Sequence, residues 1–230
     1  MRARNLKTER QRHGWGQVEA AKRLGVSQPY LAMLEGGKRQ LTPALARRVV
    51  SVYGLPPAEL PTTDSFTPTK GVAGQYFVEH LSRLGYPGFA YVHPRVKSRN
   101  PGEVLLTALA QESLESRVAE SLPWLLLRFW DMNFDWLTMQ AKKFDLQNRL
   151  GFMVSLARQL SERSAQADRT KALSKLESAL ERSRLVAEDY FYRPPRNDYE
   201  REWLTQNRSD EARHWNLLSD LQPDHLQYAE

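Results

Sequence analysis

Gly16–Lys38 reads GQVEAAKRLGVSQPYLAMLEGGK, and this stretch decides the fold of the first part of the chain. Gln17 to Leu24 carries a short helical pattern in which Ala20 and Ala21 leave room for another helix to approach closely. Gly25 supplies the positive φ that ends a helix and turns the chain. Val26 is apolar and plugs the turn. Ser27 is a favoured N-cap for a second helix, and Pro29 falls in its first turn, where the missing N–H costs nothing. Leu31 and Leu34 sit three apart and face inward. Two short helices crossing steeply through a glycine turn are expected.

The outer side of the second helix follows from the same geometry. With Leu31 and Leu34 inward, Gln28, Pro29, Ala32 and Met33 point away, at about 100° per residue. Gln28 matches the donor and acceptor on an adenine edge. Pro29, Ala32 and Met33 offer only apolar contact, of the kind a thymine methyl accepts. Tyr30 lies to one side and Gln17 at a helix N-terminus, both placed for phosphate. Lys38 and Arg39 follow the helix as cations for a phosphate backbone. With Ser27 these residues form the candidate DNA-facing set. The plainer readings are that Tyr30 and Met33 pack against a fourth helix and that Lys38 and Arg39 are a solvated turn.

Charge points the same way. Residues 1–60 hold eleven basic and four acidic residues, a net of +7, whereas residues 61–230 hold twenty-two and twenty-three, a net of −1. A small basic module beside a neutral one is the footprint of a polyanion-binding head, although a solubilising surface has the same composition.

Several features occur in order: Gln17, Ala21, Leu24-Gly25-Val26-Ser27, Leu31, Leu34 and Glu35-Gly36-Gly37-Lys38-Arg39. Through them, residues 6–55 resemble the repressor-type helix–turn–helix regulators of bacteria and phage, the Xre or Cro/C1 type. The resemblance implies a five-helix lambda-repressor-like domain, a buried ion pair between Arg10 and Glu35, and sequence-specific binding to double-stranded DNA. It further implies a homodimer on half-sites about 34 Å apart. Three positions depart from the pattern: Glu9 stands where leucine is common, Gly16 where Ser or Thr caps, and Gly36 where asparagine is usual.

The remainder reads as helix almost throughout, so the fold class expected is all-α, with a larger helical bundle behind the head. Domain bounds of 1–60 and 73–230 follow, with the Pro- and Thr-rich stretch 61–72 as linker. A helix is expected from about Ala73 to Leu84, and FAYVHPRV as a short strand or extended arm. Pro123 should interrupt a helix, with Ser121 capping a new one through Trp130. Asp135 to Phe144 is a further short helix. Amphipathic stripes run from Leu146 to Leu160 and through Leu173, Leu176, Leu180 and Ala187. Tyr199 to Leu221 is helical in pattern.

The longest apolar stretch, Leu122 to Trp130, is too short for a span of about twenty residues, and the basic N-terminus lacks an apolar run, so a cytoplasmic protein without membrane contact is expected. The chain has no cysteine. Its five histidines show no metal-ligand spacing. No metal, no cofactor and no catalytic constellation is expected, hence no enzyme. A loose Arg-x5-His element, Arg208 and His214, leaves open a ribonuclease of HEPN type. Trp124, Trp130 and Trp136 leave open a small-ligand pocket, the alternative being an aromatic core.

Residues 101–164, from PGEVLLTALAQ through LPWLLLRFW to LQNRLGFMVSLARQL, resemble helical domains found behind such heads in toxin–antitoxin or phage-defence operons, notably beside nucleotidyltransferase-type toxins. This resemblance implies an antitoxin with a cognate toxin as partner. YFYRPPRNDYEREW, Tyr190 to Trp203, combines aromatic anchors with arginines, a composition favoured at protein interfaces. Tyr190, Tyr192, Arg193, Arg196, Tyr199 and Trp203 are the candidate partner-binding residues, unless the segment is an ordinary connection between helices.

Overall fold

The computed structural model describes residues 3–226. The chain forms two compact units, residues 1–63 and 64–230. Helix dominates both, and the all-α class holds; the β structure among the described residues is one parallel pair, β1 (Asp189–Tyr190) with β2 (Leu217–Leu218).

The first unit contains α1 (Ala3–Arg12), α2 (Gln17–Leu24), α3 (Gln28–Glu35) and α4 (Pro43–Val52). The fifth helix expected here is a single 3-10 turn, Pro57–Glu59. Leu60, held out of helical geometry at ψ 138 by the proline that follows it, ends the turn. Leu6, Ala20, Ala21, Leu24, Leu31, Leu34, Val49 and Tyr53 make the core, with Val26, Tyr30 and Leu45 packed against it. Each helix ends for a local reason. Gly25 sits at φ +64 and closes α2. The Ser27 hydroxyl accepts the Tyr30 N–H at 3.3 Å and opens α3. Thr42 does the same for α4 through the Leu45 N–H.

In the second unit, α5 (Gly74–Leu84), α6 (Pro101–Leu109), α7 (Ser116–Arg128) and α8 (Phe134–Lys143) precede a central pair, α9 (Gln147–Arg163) and α10 (Ala167–Glu181). Two shorter helices, α11 (Asp198–Asn207) and α12 (Asp210–His214), follow. The stretch expected as a linker is irregular throughout, yet its later part belongs to this unit. The Phe66 ring lies 5.5 Å from that of Trp136. The Gln111 amide donates to Thr69 O and accepts from Val72 N.

Four expectations are corrected here. Pro123 lies inside α7, which is one helix, and Ser121 does not cap; its hydroxyl donates to Val118 O at 2.6 Å. An interior proline costs about 3 kcal/mol. Leu122, Leu125 and Leu126 are fully buried on that helix, and each contributes about 1.5–3 kcal/mol, so packing wins. Next, α9 is buried on nearly all sides, Asn148, Gly151 and Ser155 included, because it is the centre of the unit and not a stripe on its surface. Ala187 is exposed and lies beyond the end of α10. Finally, Tyr199–Leu221 is not continuous: Arg208 leaves helical geometry at ψ 146, Ser209 caps α12, and Asn216 takes φ +53 before β2.

The stretch FAYVHPRV forms no strand. It begins in a 3-10 turn, Pro87–Phe89, and continues as an arm without a pairing neighbour.

Candidate nucleic-acid interface

The centre of the first unit is polar. Arg10 and Glu35 are both buried and meet in a two-pronged pair, Nε to Oε1 at 2.6 Å and Nη2 to Oε2 at 3.1 Å. Arg10 also donates to Trp15 O at 2.8 Å, fixing the α1–α2 connection. Burial alone raises the carboxyl pKa of Glu35. The hydrogen bonds from Arg10 and Gln17, with the charges of Arg10 and Lys7, outweigh that and hold it below the usual glutamate range.

From this pair a chain of side chains runs outward. Gln17 Nε2 donates to Glu35 Oε2 at 2.9 Å, and Gln28 Nε2 donates to Gln17 Oε1 at 2.8 Å. A carboxylate only accepts, so Gln17 must turn its NH2 toward Glu35 and its oxygen toward Gln28. Gln28 is left with one N–H and its carbonyl oxygen for an outside partner. Those two groups are what an adenine edge requires.

Around this amide, Pro29 is exposed, and Ala32 and Met33 are half-buried on α3. Tyr30 is half-buried against the core. Ser27 acts as the helix cap. Lys38 and Arg39 are exposed, and their backbone N–H groups both reach Met33 O, at 2.9 and 3.3 Å. One carbonyl at the end of α3 thus sets the direction of both cations. Gly37, at φ +71, makes the turn, whereas Gly36 stays at φ −82. Glycine in place of asparagine at 36 therefore costs no backbone geometry.

Two further contacts escaped the sequence reading. The Arg48 guanidinium lies over Gly25, 2.6 Å from where a Cβ would stand. A stack runs from Arg23 over Trp15 (4.3 Å) to His13 (4.5 Å) and Tyr53 (5.7 Å). The Tyr53 hydroxyl is buried without a hydrogen-bond partner among the described residues, and burial pushes its pKa up to about 12. Both contacts join α4 to the other helices across distances that a local pattern does not span.

Residues 3–62 match the family model described as a helix-turn-helix domain. No curated protein and no solved structure matches the chain. The first unit is thus a helix–turn–helix domain, with α2 and α3 as its two crossing helices.

The candidate partner-binding residues of the second unit divide. Tyr199 and Trp203 project from α11, 79% and 45% exposed, and Arg196 is exposed just before it. Tyr190 is half-buried in β1 and, with Pro194, Pro195 and Arg196, lines a cleft of about 520 Å³. Tyr192 turns inward at φ +62, its hydroxyl 2.8 Å from Asp220, and Arg193 pairs with Glu200 at 3.0 Å. Both are half-buried, each held by a polar partner within this unit.

Trp124 packs on Tyr86 and Phe129, and Trp136 on Phe66. Arg208 reaches Leu217 O and Glu188, while His214 Nε2 lies 2.7 Å from Glu181. Each member of the Arg-x5-His element thus has a structural partner of its own. Among the described residues no helix is long and apolar enough to cross a membrane.

Proposed function

We propose that this chain is a sequence-specific DNA-binding repressor of the Xre type that binds as a homodimer, and that its second unit neutralises a protein toxin. It is then the antitoxin of a toxin–antitoxin or phage-defence pair. The observation that carries the DNA reading is the relay from Arg10 through Glu35 and Gln17 to Gln28. It presents a preset amide at the start of α3, and two exposed cations follow the other end of that helix. Gln28 reads an adenine; Pro29, Ala32 and Met33 meet thymine methyls or exclude water; Lys38 and Arg39 hold phosphates.

The outward Tyr199 and Trp203, with Arg196 beside them, support the partner reading, since aromatic and arginine anchors dominate binding energy at interfaces. The cleft beside Tyr190 favours a second reading, a one-component regulator in which a small ligand fills that cleft.

The variants Lys38→Ala and Arg39→Ala weaken binding to every duplex and flatten its salt dependence, because phosphate contacts carry no sequence. Gln28→Ala relaxes discrimination at one or two base pairs by about 1–3 kcal/mol. Binding titrations that find neither effect rule out the docking. For the second unit, co-purification with the product of the adjacent gene, lost in Tyr199→Ala/Trp203→Ala, supports the antitoxin. A thermal shift with a metabolite and no protein partner supports the sensor.

A further inference from the structure

The second unit carries a basic strip that its overall charge conceals. Between Glu79 and Glu103 the chain has no acidic residue but holds Arg83, Arg95, Lys97 and Arg99, within a region whose net charge is −1. After the turn at residues 90–91 the arm is irregular, bends at Val96, and alternates in exposure. Tyr91, His93, Arg95, Lys97 and Arg99 are exposed, while Val92, Pro94, Val96 and Ser98 are half-buried. Exposure thus alternates with a period of two, the valines half-buried and the cations toward solvent.

The arm is anchored at both ends. The Ser82 hydroxyl donates to Val92 O at 2.9 Å, and the Asn100 side chain accepts from the Gly102 N–H to start α6. Arg99 is drawn toward Tyr76, 5.8 Å over its ring, and toward Glu103 at 3.8 Å. Arg95 and Lys97 have no ion-pair partner among the described residues. Backbone positions two apart stand at most about 6.6 Å from each other, and the bend at Val96 brings those of Arg95 and Lys97 closer. Lacking a polar pocket or carboxylate partners, these cations suit a repeating, sequence-blind polyanion.

We propose that this arm, through Arg95 and Lys97, binds the phosphate backbone of duplex DNA. The proposal rests on the reading of the first unit as a duplex-binding head, because tethering raises the local concentration of that duplex at the arm.

The test compares full-length chain on a duplex of operator length with one extended on both sides. Wild type binds the extended duplex more tightly, and the slope of log affinity against log salt is steeper by about 2, since each phosphate neutralised contributes about 0.9. Arg95→Gln/Lys97→Gln removes that increment and leaves binding to the short duplex unchanged. Equal affinities and slopes on the two duplexes for wild type overturn the proposal. So does a double variant that loses single-stranded RNA or a protein partner while keeping the extended-duplex increment. Failure of the head is distinguishable: short-duplex binding is then absent in wild type, or indifferent to Lys38→Ala/Arg39→Ala.

Discussion

The two units are held together by different means. In the first, one polar cluster, Arg10, Glu35, Gln17 and Gln28, joins three consecutive helices, and the Gln28 amide is its last member. In the second, the central helix α9 is buried on nearly every side, and the last part of the chain is hooked to it by distant side-chain pairs. Arg149 grips Asp189 with two bonds of 2.7 and 2.9 Å, Asn148 holds Leu185, and the Trp215 indole N–H donates to Ser155 at 2.8 Å. In the first arrangement fold and function share a short stretch of sequence. In the second, the fold depends on distant partners such as Ser155 and Trp215, 60 positions apart.

Breaking the first arrangement has the largest expected effect. Arg10→Met leaves Glu35 buried without its charge partner and costs the first unit about 3–5 kcal/mol. Hydrogen exchange resolved by unit checks that residues 64–226 are spared. The same pair sets an acid limit. The folded carboxyl of Glu35 lies below its unfolded value, so its stabilisation is complete above the ordinary glutamate range and disappears as pH falls through the lowered one. Glu35→Gln is less stable at neutral pH, and its head loses less on acidification; an unchanged acid profile refutes this.

Gly151→Ala probes the second arrangement. A Cβ there falls 2.5 Å from three atoms of the fully buried Trp215 ring. Overpacking of this kind costs about 3 kcal/mol, against about 1 kcal/mol gained in helix propensity. Denaturant titration of the second unit should show a net loss of about 2 kcal/mol, with operator binding intact. Gly25→Ala comes next. Its left-handed φ costs about 1–2 kcal/mol, while the flexible Arg48 tip moves aside. Thermal unfolding of the first unit reads this effect. The smallest effect is expected at the exposed Glu19–Arg23 pair on α2, where Glu19→Ala changes stability by no more than about 0.5 kcal/mol.

The same contrast explains what the sequence disclosed. Gly25, Ser27, Pro29 and Thr42–Pro43 act within a turn of themselves, and the first four helices follow from them. Arg10 and Glu35 were paired through the family resemblance; their extension to Gln17 and Gln28 needed coordinates, because it depends on which way two amides turn. In the second unit local signals were overruled. Pro123 reads as a breaker, yet the buried leucines around it keep α7 whole. Tyr199 to Leu221 has a helical pattern, yet Trp215 must reach Ser155, and the chain bends at Arg208 and Asn216 to bring it there. The alternation of Arg95, Lys97 and Arg99 was visible in the letters, but which side faced water was not.

The Gln28 amide, the proposed base reader, inherits its orientation from the interior of its domain. Operator preference and correct folding are therefore not separable traits in this protein. A lineage that replaces Gln28 with a residue of different donor pattern strips the Gln17 oxygen of its donor, and one that replaces Gln17 leaves the inner carboxylate short of one. Retuning its target on DNA then proceeds by coupled substitutions at 17 and 28, and single exchanges at either position are poor intermediates.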